Sequence, residues 1–172
     1  MNLKKFIRAI PDFPKKGISF KDITPLLENA RAYHYTINKL AQPFQKKKIQ
    51  KVVGIDARGF LLAAGVAYKL SAGISIVRKK GKLPRKVIQQ TYDLEYGQNI
   101  LEMHTDTIKP GERVLIVDDV LATGGTLAAT IKLIKKMRGK IIGIALLVEL
   151  TYLDGKRKIK GYKRHTLLKL NT

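Results

Sequence analysis

Cysteine is absent from this 172-residue chain. Disulfides, thiolate nucleophiles and cysteine-ligated zinc are therefore excluded. No apolar run approaches the roughly 18 residues a membrane-crossing helix needs, so no membrane partner is expected. The stretch from Met1 to Lys16 carries charges throughout and has no apolar segment of the signal-peptide kind. Repeats, low-complexity tracts and long linkers are missing as well. The three histidines, His34, His104 and His165, lack metal-ligand spacing and are expected at the surface. What these absences leave is one cytoplasmic domain with a hydrophobic fraction of 45%, enough to build a core.

Acidic residues are also scarce: 13 Asp and Glu stand against 34 Lys and Arg, a formal net charge of +21. So basic a chain invites a polyanionic partner. The densest patches are Lys46, Lys47 and Lys48 with Lys51, and the stretch from Lys156 to Arg164. Neither carries the interleaved aromatics of a single-strand platform. Lysines are spread from Lys4 to Lys169, as compositional drift would leave them. A solvated basic surface is the favoured reading, and nucleic acid is not an expected partner.

Four short runs, Val52–Ile55, Ile74–Val77, Val114–Val117 and Ile141–Val148, are apolar at successive positions, the pattern of a parallel strand buried on both faces. Helical spacing lies between them. Leu127, Ile131 and Ile134 fall at i, i+4 and i+7, with Gly139 suited to the position after the helix end. Arg58 to Ser71 is a second helical stretch. Alternating strands and helices predict an α/β domain with a largely parallel sheet. Upstream, Thr24-Pro25 reads as an N-cap followed by proline at the first helical position. Tyr33, Ile37, Leu40 and Phe44 form a core stripe, which Pro43 should kink or end. Lys86 to His104 reads as a hairpin or mobile flap. Beyond Val148 the chain turns basic and weakly periodic, as a small cover would.

The chemistry is concentrated in Val114-Leu115-Ile116-Val117-Asp118-Asp119-Val120-Leu121-Ala122-Thr123-Gly124-Gly125-Thr126. A buried strand runs into two acids, a loop of small residues and a helix. Open α/β sheets bind ligands at the carboxyl ends of their strands. The backbone amides of Ala122, Thr123, Gly124, Gly125 and Thr126, with two threonine hydroxyls, would make a phosphate cradle at a helix N-terminus. Asp118 and Asp119 would repel a bare polyphosphate but suit hydroxyls as hydrogen-bond acceptors. A ribose 5-phosphate satisfies both halves. Rival phosphate motifs, G-x-G-x-x-G and the Walker loop, are missing.

Four further strings accompany it: Val53-Gly54-Ile55-Asp56-Ala57-Arg58-Gly59-Phe60, Arg78-Lys79-Lys80-Gly81-Lys82-Leu83-Pro84, Thr91-Tyr92-Asp93-Leu94-Glu95-Tyr96-Gly97, and the segment from Phe13 to Thr24. The second concentrates cations after a strand. Roughly half of the 13 acids fall between Asp93 and Asp119, as a metal–diphosphate partner or neutralising ion pairs would require.

Together, over residues 11 to 150, these strings resemble the type I phosphoribosyltransferases, and the last three resemble their adenine branch. The resemblance implies a single domain, residues 1–172, with a central mainly parallel sheet flanked by helices. Residues 1–30 and 149–172 would form a small hood or cover, and 79–104 a mobile flap. The implied reaction joins adenine to phosphoribosyl pyrophosphate, giving AMP and diphosphate. Asp118, Asp119 and Ala122–Thr126 would bind the phosphoribosyl group. Asp56, Ala57, Arg58, Arg78 and Lys82 would face the diphosphate, with a non-proline cis peptide at Asp56-Ala57. Ser19, Phe20, Lys21 and Val120 would bind adenine, Phe20 by stacking. Glu95 is the implied acid/base group, Arg58 the catalytic cation, and Tyr96 closes the flap. Magnesium would be held mainly by substrate and water, without a direct protein ligand. A homodimer is also implied.

One departure is Lys21, where arginine is usual; lysine gives up any bidentate contact. It is also the residue to watch if the base were an oxo-purine, which wants a donor at C6. A non-enzymatic phosphoribosyl-binding regulator of nucleic acid is the other alternative. It would leave the flap string without a use.

Overall fold

In the computed structural model, which describes residues 1–93 and 98–171, the chain is built around a seven-stranded sheet. Its strands are β3 (Lys51–Ile55), β4 (Gly73–Lys79), β5 (Val87–Asp93), β6 (Gln98–His104), β7 (Arg113–Leu121), β8 (Lys140–Leu150) and β9 (Arg164–Leu170). The order across the sheet is β5-β6-β4-β3-β7-β8-β9. The run β4-β3-β7-β8-β9 is parallel, and β5 and β6 are antiparallel additions at one edge. All four predicted strands are present, each longer than its apolar run.

The doubly apolar pattern has a plain cause. Alternate strand residues point to opposite faces, and each face meets its own core. Val52, Leu115, Val117 and Leu147 join one cluster; Val53, Ile55, Ile116 and Leu146 join the other. The first is covered by α2 (Ala30–Ala41) and α3 (Arg58–Leu70), the second by α4 (Gly125–Lys136). Leu127, Ile131 and Ile134 of α4 are buried as their spacing requires, each worth roughly 1.5–3 kcal/mol against exposure.

Helix ends depart from expectation in two places. Short α1 (Thr24–Glu28) begins at Thr24, so Thr24 is not its N-cap. The capping acceptor is the Asp22 carboxylate, which receives the Thr24 N–H and hydroxyl, both at 2.9 Å. Gly139 is not the left-handed residue after α4. That position is Arg138 (φ 60°), whose N–H reaches Lys135 O at 2.8 Å while Gly139 N–H reaches Ile134 O at 3.0 Å. This is a Schellman ending with glycine one position later. Gly139 is required by crowding, since a Cβ there would lie 2.8 Å from Ile134 Cγ2 and 2.9 Å from Ile108 Cγ2. Helix α2 stops at Ala41, just before Pro43.

Three other elements frame the site. A small antiparallel pair, β1 (Arg8–Ile10) and β2 (Phe20–Asp22), stands apart from the main sheet. Strands β5 and β6 form a hairpin, from Val87↔His104 to Asp93↔Gln98, joined to β4 through Arg78↔Glu102 and Lys79↔Leu101. Its tip, with Glu95 and Tyr96, lies outside the described residues. The stretch beyond Val148, expected as a cover, divides. Turns at Thr151–Leu153 and Gly155–Ile159 cover the sheet end, but Arg164–Leu170 is a fifth parallel strand. An edge strand that mixes Arg164, His165, Thr166 and Lys169 with three leucines, most of them half-buried, has no buried run to betray it. Among the histidines only His34 is exposed; His165 bonds Lys39 O at 2.9 Å, and His104 Nδ1 is buried.

Candidate active site

The carboxyl end of β7 carries the two aspartates into the interior, each only 7% exposed. Asp118 Oδ1 accepts the Asp119 N–H at 3.0 Å. Asp119 Oδ2 lies 2.7 Å from Arg58 Nη2. Burial, reinforced by the Asp119 charge, holds the Asp118 carboxyl well above the usual aspartate range. Burial also raises Asp119, and the Arg58 guanidinium opposes that rise. The first turn of α3 presses close to this pair. A Cβ on Gly59 would stand 2.6 Å from Asp118 Oδ1, so glycine there lets helix and carboxylate approach.

Immediately beyond, the chain turns through Gly124 (φ 78°, ψ 0°) into α4. No side chain caps this N-terminus, so its first amides and the positive helix end face outward for a ligand. Asp118, Val120, Ala122, Thr123, Gly124 and Thr126 line a pocket of about 70 Å³ there. The loop is not packed shut.

A larger cleft of about 350 Å³ adjoins it, sharing Asp118, Val120, Ala122 and Thr126 and adding Asp119. Its other walls are Ser19, Phe20, Lys21, Ile55, Asp56 and Arg58 from the front half of the chain, and Leu150, Tyr152 and Leu153 from the back. Phe20 is braced edge-on by Phe13, ring centroids 5.2 Å apart. Lys21 is buried, and its ammonium donates to Ser19 Oγ at 2.8 Å. The predicted base-binding residues and the predicted sugar-binding residues therefore share one cleft. Leu150, Tyr152 and Leu153 escaped the sequence reading. The only signal for them was two apolar residues after a long buried run.

Arg58 reaches across the cleft. Besides the Asp119 pair, Nη1 donates to the Lys21 carbonyl at 3.0 Å, and the guanidinium lies 4.6 Å from the Phe20 ring centroid. It ties the carboxylate pair to β2. Two acceptors and an aromatic face drew it there; sequence position alone, one turn past a strand, could not indicate the direction.

Asp56, Arg78 and Lys82, expected to face a diphosphate, lie next to one another. The Asp56-Ala57 peptide is cis. Arg78 Nε donates to Asp56 Oδ2 at 3.0 Å and Nη1 to Lys82 O at 3.2 Å, while the Lys82 side chain is exposed. Buried Glu102 shapes the same loop, accepting the Gly81 N–H at 2.9 Å and Gln89 Nε2 at 2.8 Å. Glu102 was missed because an acid in a half-buried strand reads as a surface residue.

A carboxylate pair beside an amide loop at the end of a parallel sheet is suited to a sugar phosphate. The phosphoribosyl transferase domain family matches residues 19–168. An adenine phosphoribosyltransferase of Clostridium botulinum is 52% identical over 171 residues, 99% of each chain. The crystal structure of adenine phosphoribosyltransferase from Rhodothermus marinus superposes with a TM-score of 0.95 at 50% identity, covering 98% of this chain and 96% of that one. The Giardia lamblia enzyme complexed with 9-deazaadenine gives a TM-score of 0.94 at 36% identity, covering 99% and 97%. The chain belongs to the phosphoribosyltransferase family, in its adenine phosphoribosyltransferase branch.

Proposed function

We propose that this chain transfers the 5-phosphoribosyl group of phosphoribosyl pyrophosphate to adenine, releasing diphosphate and giving AMP, in purine salvage. The observation that carries the proposal is the single cleft in which Asp118 and Asp119 sit between the amide loop and Phe20. Relatives bearing that activity in their names support it.

The residues divide the work by position. The amides of Ala122–Thr126 receive the 5-phosphate, and Asp118 and Asp119 accept from the ribose hydroxyls. Adenine enters against Phe20, with Val120 across from it and backbone groups of Ser19 and Lys21 at its edge. The bond from the anomeric carbon to diphosphate breaks and its electron pair leaves with the diphosphate, while the adenine N9 lone pair forms the new bond and N9 loses its proton. Cleavage runs ahead of bond formation, leaving oxocarbenium character on the sugar. Two buried carboxylates are suited to steady that positive charge. Arg58, by its contacts with Asp119 and the Lys21 carbonyl, positions the carboxylate pair against the hood. Arg78, Lys82 and the Asp56-Ala57 turn take the diphosphate side. Glu95 manages the purine proton and Tyr96 closes the flap; both lie outside the described residues.

The donor set fits magnesium brought in by the diphosphate. Among the described residues no three His, Asp or Glu side chains form an ion cage, so Asp118 and Asp119 could reach it only alongside substrate oxygens and water. When bound it neutralises charge on the departing diphosphate. The hood role falls to β1–β2 with the turns after β8, and the flap role to the β5–β6 hairpin. A homodimer is part of the proposal: exposed Leu61 and Tyr68 on α3 offer an apolar face for a second copy, which light scattering would detect. The proposed setting is the cytoplasm; among the described residues no helix is long and apolar enough to cross a membrane.

The test is AMP formation from adenine, phosphoribosyl pyrophosphate and Mg²⁺, with hypoxanthine and guanine as competing bases. Adenine should dominate, because backbone groups of Ser19 and Lys21 at the edge of the base are suited to its exocyclic amine. Preferred turnover of hypoxanthine would overturn the base assignment. Glu95→Gln should lower kcat by about 10²-fold or more; unchanged turnover removes Glu95 from its role.

A further inference from the structure

Gly155 is buried at the start of the turn that follows β8, and its backbone is not in the left-handed region. Conformation therefore does not demand glycine there; contact does. A Cβ on Gly155 would stand 2.8 Å from the Gly124 amide nitrogen and 2.8 Å from the Thr123 carbonyl carbon, and nearer still to the Ala122 carbonyl oxygen. The approach is reciprocal. A Cβ on Gly124 would lie 3.0 Å from the Gly155 carbonyl carbon, and nearer still to its oxygen. Backbone thus packs on backbone across three successive loop residues, with no side chain between them to yield.

The turn is held on both sides of this contact. Before it, Thr151 Oγ1 bonds Leu170 O at 3.1 Å and Asn171 Oδ1 at 2.6 Å. After it, Ile159 is fully buried in the core beneath α4. Between these, Tyr152 and Leu153 wall the larger cleft. A turn fixed in this way cannot withdraw from an added methyl group, so the loop would have to move.

We propose that Gly155 is a positioning residue for phosphoribosyl transfer: it seats the C-terminal turn on Ala122–Gly124 and so aims the loop amides at the 5-phosphate. This rests on the reading of that loop as the phosphate cradle. Acting through the loop, Gly155 contributes nothing to the reacting atoms, and its effect falls on phosphoribosyl binding.

Gly155→Ala and, separately, Thr126→Ala in the full chain test it, with ribose 5-phosphate binding measured by calorimetry and initial rates measured for both substrates. Gly155→Ala should keep the wild-type circular dichroism, weaken ribose 5-phosphate about tenfold or more, and raise KM for phosphoribosyl pyrophosphate more than KM for adenine. Wild-type affinity in Gly155→Ala beside weakened binding in Thr126→Ala overturns the proposal and leaves the cradle standing. Wild-type affinity in both variants removes the cradle reading and this one with it. If Gly155→Ala does not fold, the isotopically labelled wild-type chain decides. On titration with ribose 5-phosphate, the Gly155 amide resonance should shift along the same binding curve as Gly124, and an unmoved Gly155 overturns the proposal.

Discussion

At the scale of the residue, the free protein carries a cost that its ligand would relieve. Asp118 is buried, beside a second carboxylate, and its carboxyl is held above the usual range for both reasons. A carboxyl raised in the folded state contributes stability that is complete below the ordinary aspartate value, about 3.9. That contribution is lost as pH rises through the raised folded value. The substrate-free chain should therefore lose stability on going from acid toward neutral pH, in the part that belongs to this group. Asp22 has the opposite sign: hydrogen bonds from Thr24 lower it, so its contribution disappears as pH falls. Comparing the wild type with Asp118→Asn separates the two. The amide oxygen can still accept the Asp119 N–H, while the like-charge repulsion is gone. Asp118→Asn should melt roughly 2–5 °C higher than the wild type at neutral pH. Calorimetry at several pH values should show the difference shrinking toward pH 4. The same variant should bind phosphoribosyl pyrophosphate at least about tenfold more weakly, since a hydroxyl prefers an ionised acceptor. A lower melting temperature at neutral pH would mean that Arg58 already compensates the pair.

Elements show where sequence reading succeeds and where it stops. The strand, two acids, small loop and helix from Val114 onward are one continuous stretch, so local patterning reveals them together. The hairpin is equally local, while the cis Asp56-Ala57 peptide is expected only from the family resemblance. What escaped depends on chain segments remote in sequence. Arg58 turns toward Lys21, 37 residues away. Gly155 matters only because the loop from Ala122 to Gly124 lies against it. Gly139 is needed for Ile108 and Ile134, not for a left-handed turn. Strand β9 has too little burial on its outer edge to write a pattern. Glu102 belongs to the same group: its two acceptor oxygens join the cationic loop after β4 to the hairpin strand β5. Leucine at that position leaves the Gly81 N–H and the Gln89 amide without their buried acceptor, whereas glutamine keeps both partners once the Gln89 amide turns over. Glu102→Leu should cost about 1–3 kcal/mol in denaturant unfolding. It should also weaken inhibition by diphosphate about 3- to 30-fold, because the Gly81 amide no longer fixes the loop that carries Arg78 and Lys82. Unaltered diphosphate inhibition would separate Glu102 from the site and leave it a purely structural residue.

For the whole molecule the dominant quantity is the charge of +21, spread over lysines that sit mostly at the surface. Charges of one sign in such excess produce a long-range attraction for anions that salt screens within a Debye length, about 10 Å at 0.1 M ionic strength. The two proposed substrates differ in this respect. Phosphoribosyl pyrophosphate is a polyanion and adenine is neutral, so only the first should be drawn in by the field. Near the cleft the cations are local: Arg78 stands at the Asp56 turn and Lys82 is exposed beside it. Lys46 to Lys48 lie by the opposite end of β7, where Lys47 O accepts from Arg113, so their charges act only through distance. Raising KCl from about 0.05 to 0.5 M should therefore lower kcat/KM for phosphoribosyl pyrophosphate at least about fivefold, while kcat/KM for adenine, measured with the other substrate saturating, changes much less. Exchanging Lys46, Lys47 and Lys48 for glutamine should flatten that salt dependence without altering kcat, because these side chains touch no part of the cleft. If the two substrates respond alike to salt, the surface charge does not steer, and the basic composition is then a property of the chain that its catalysis does not use.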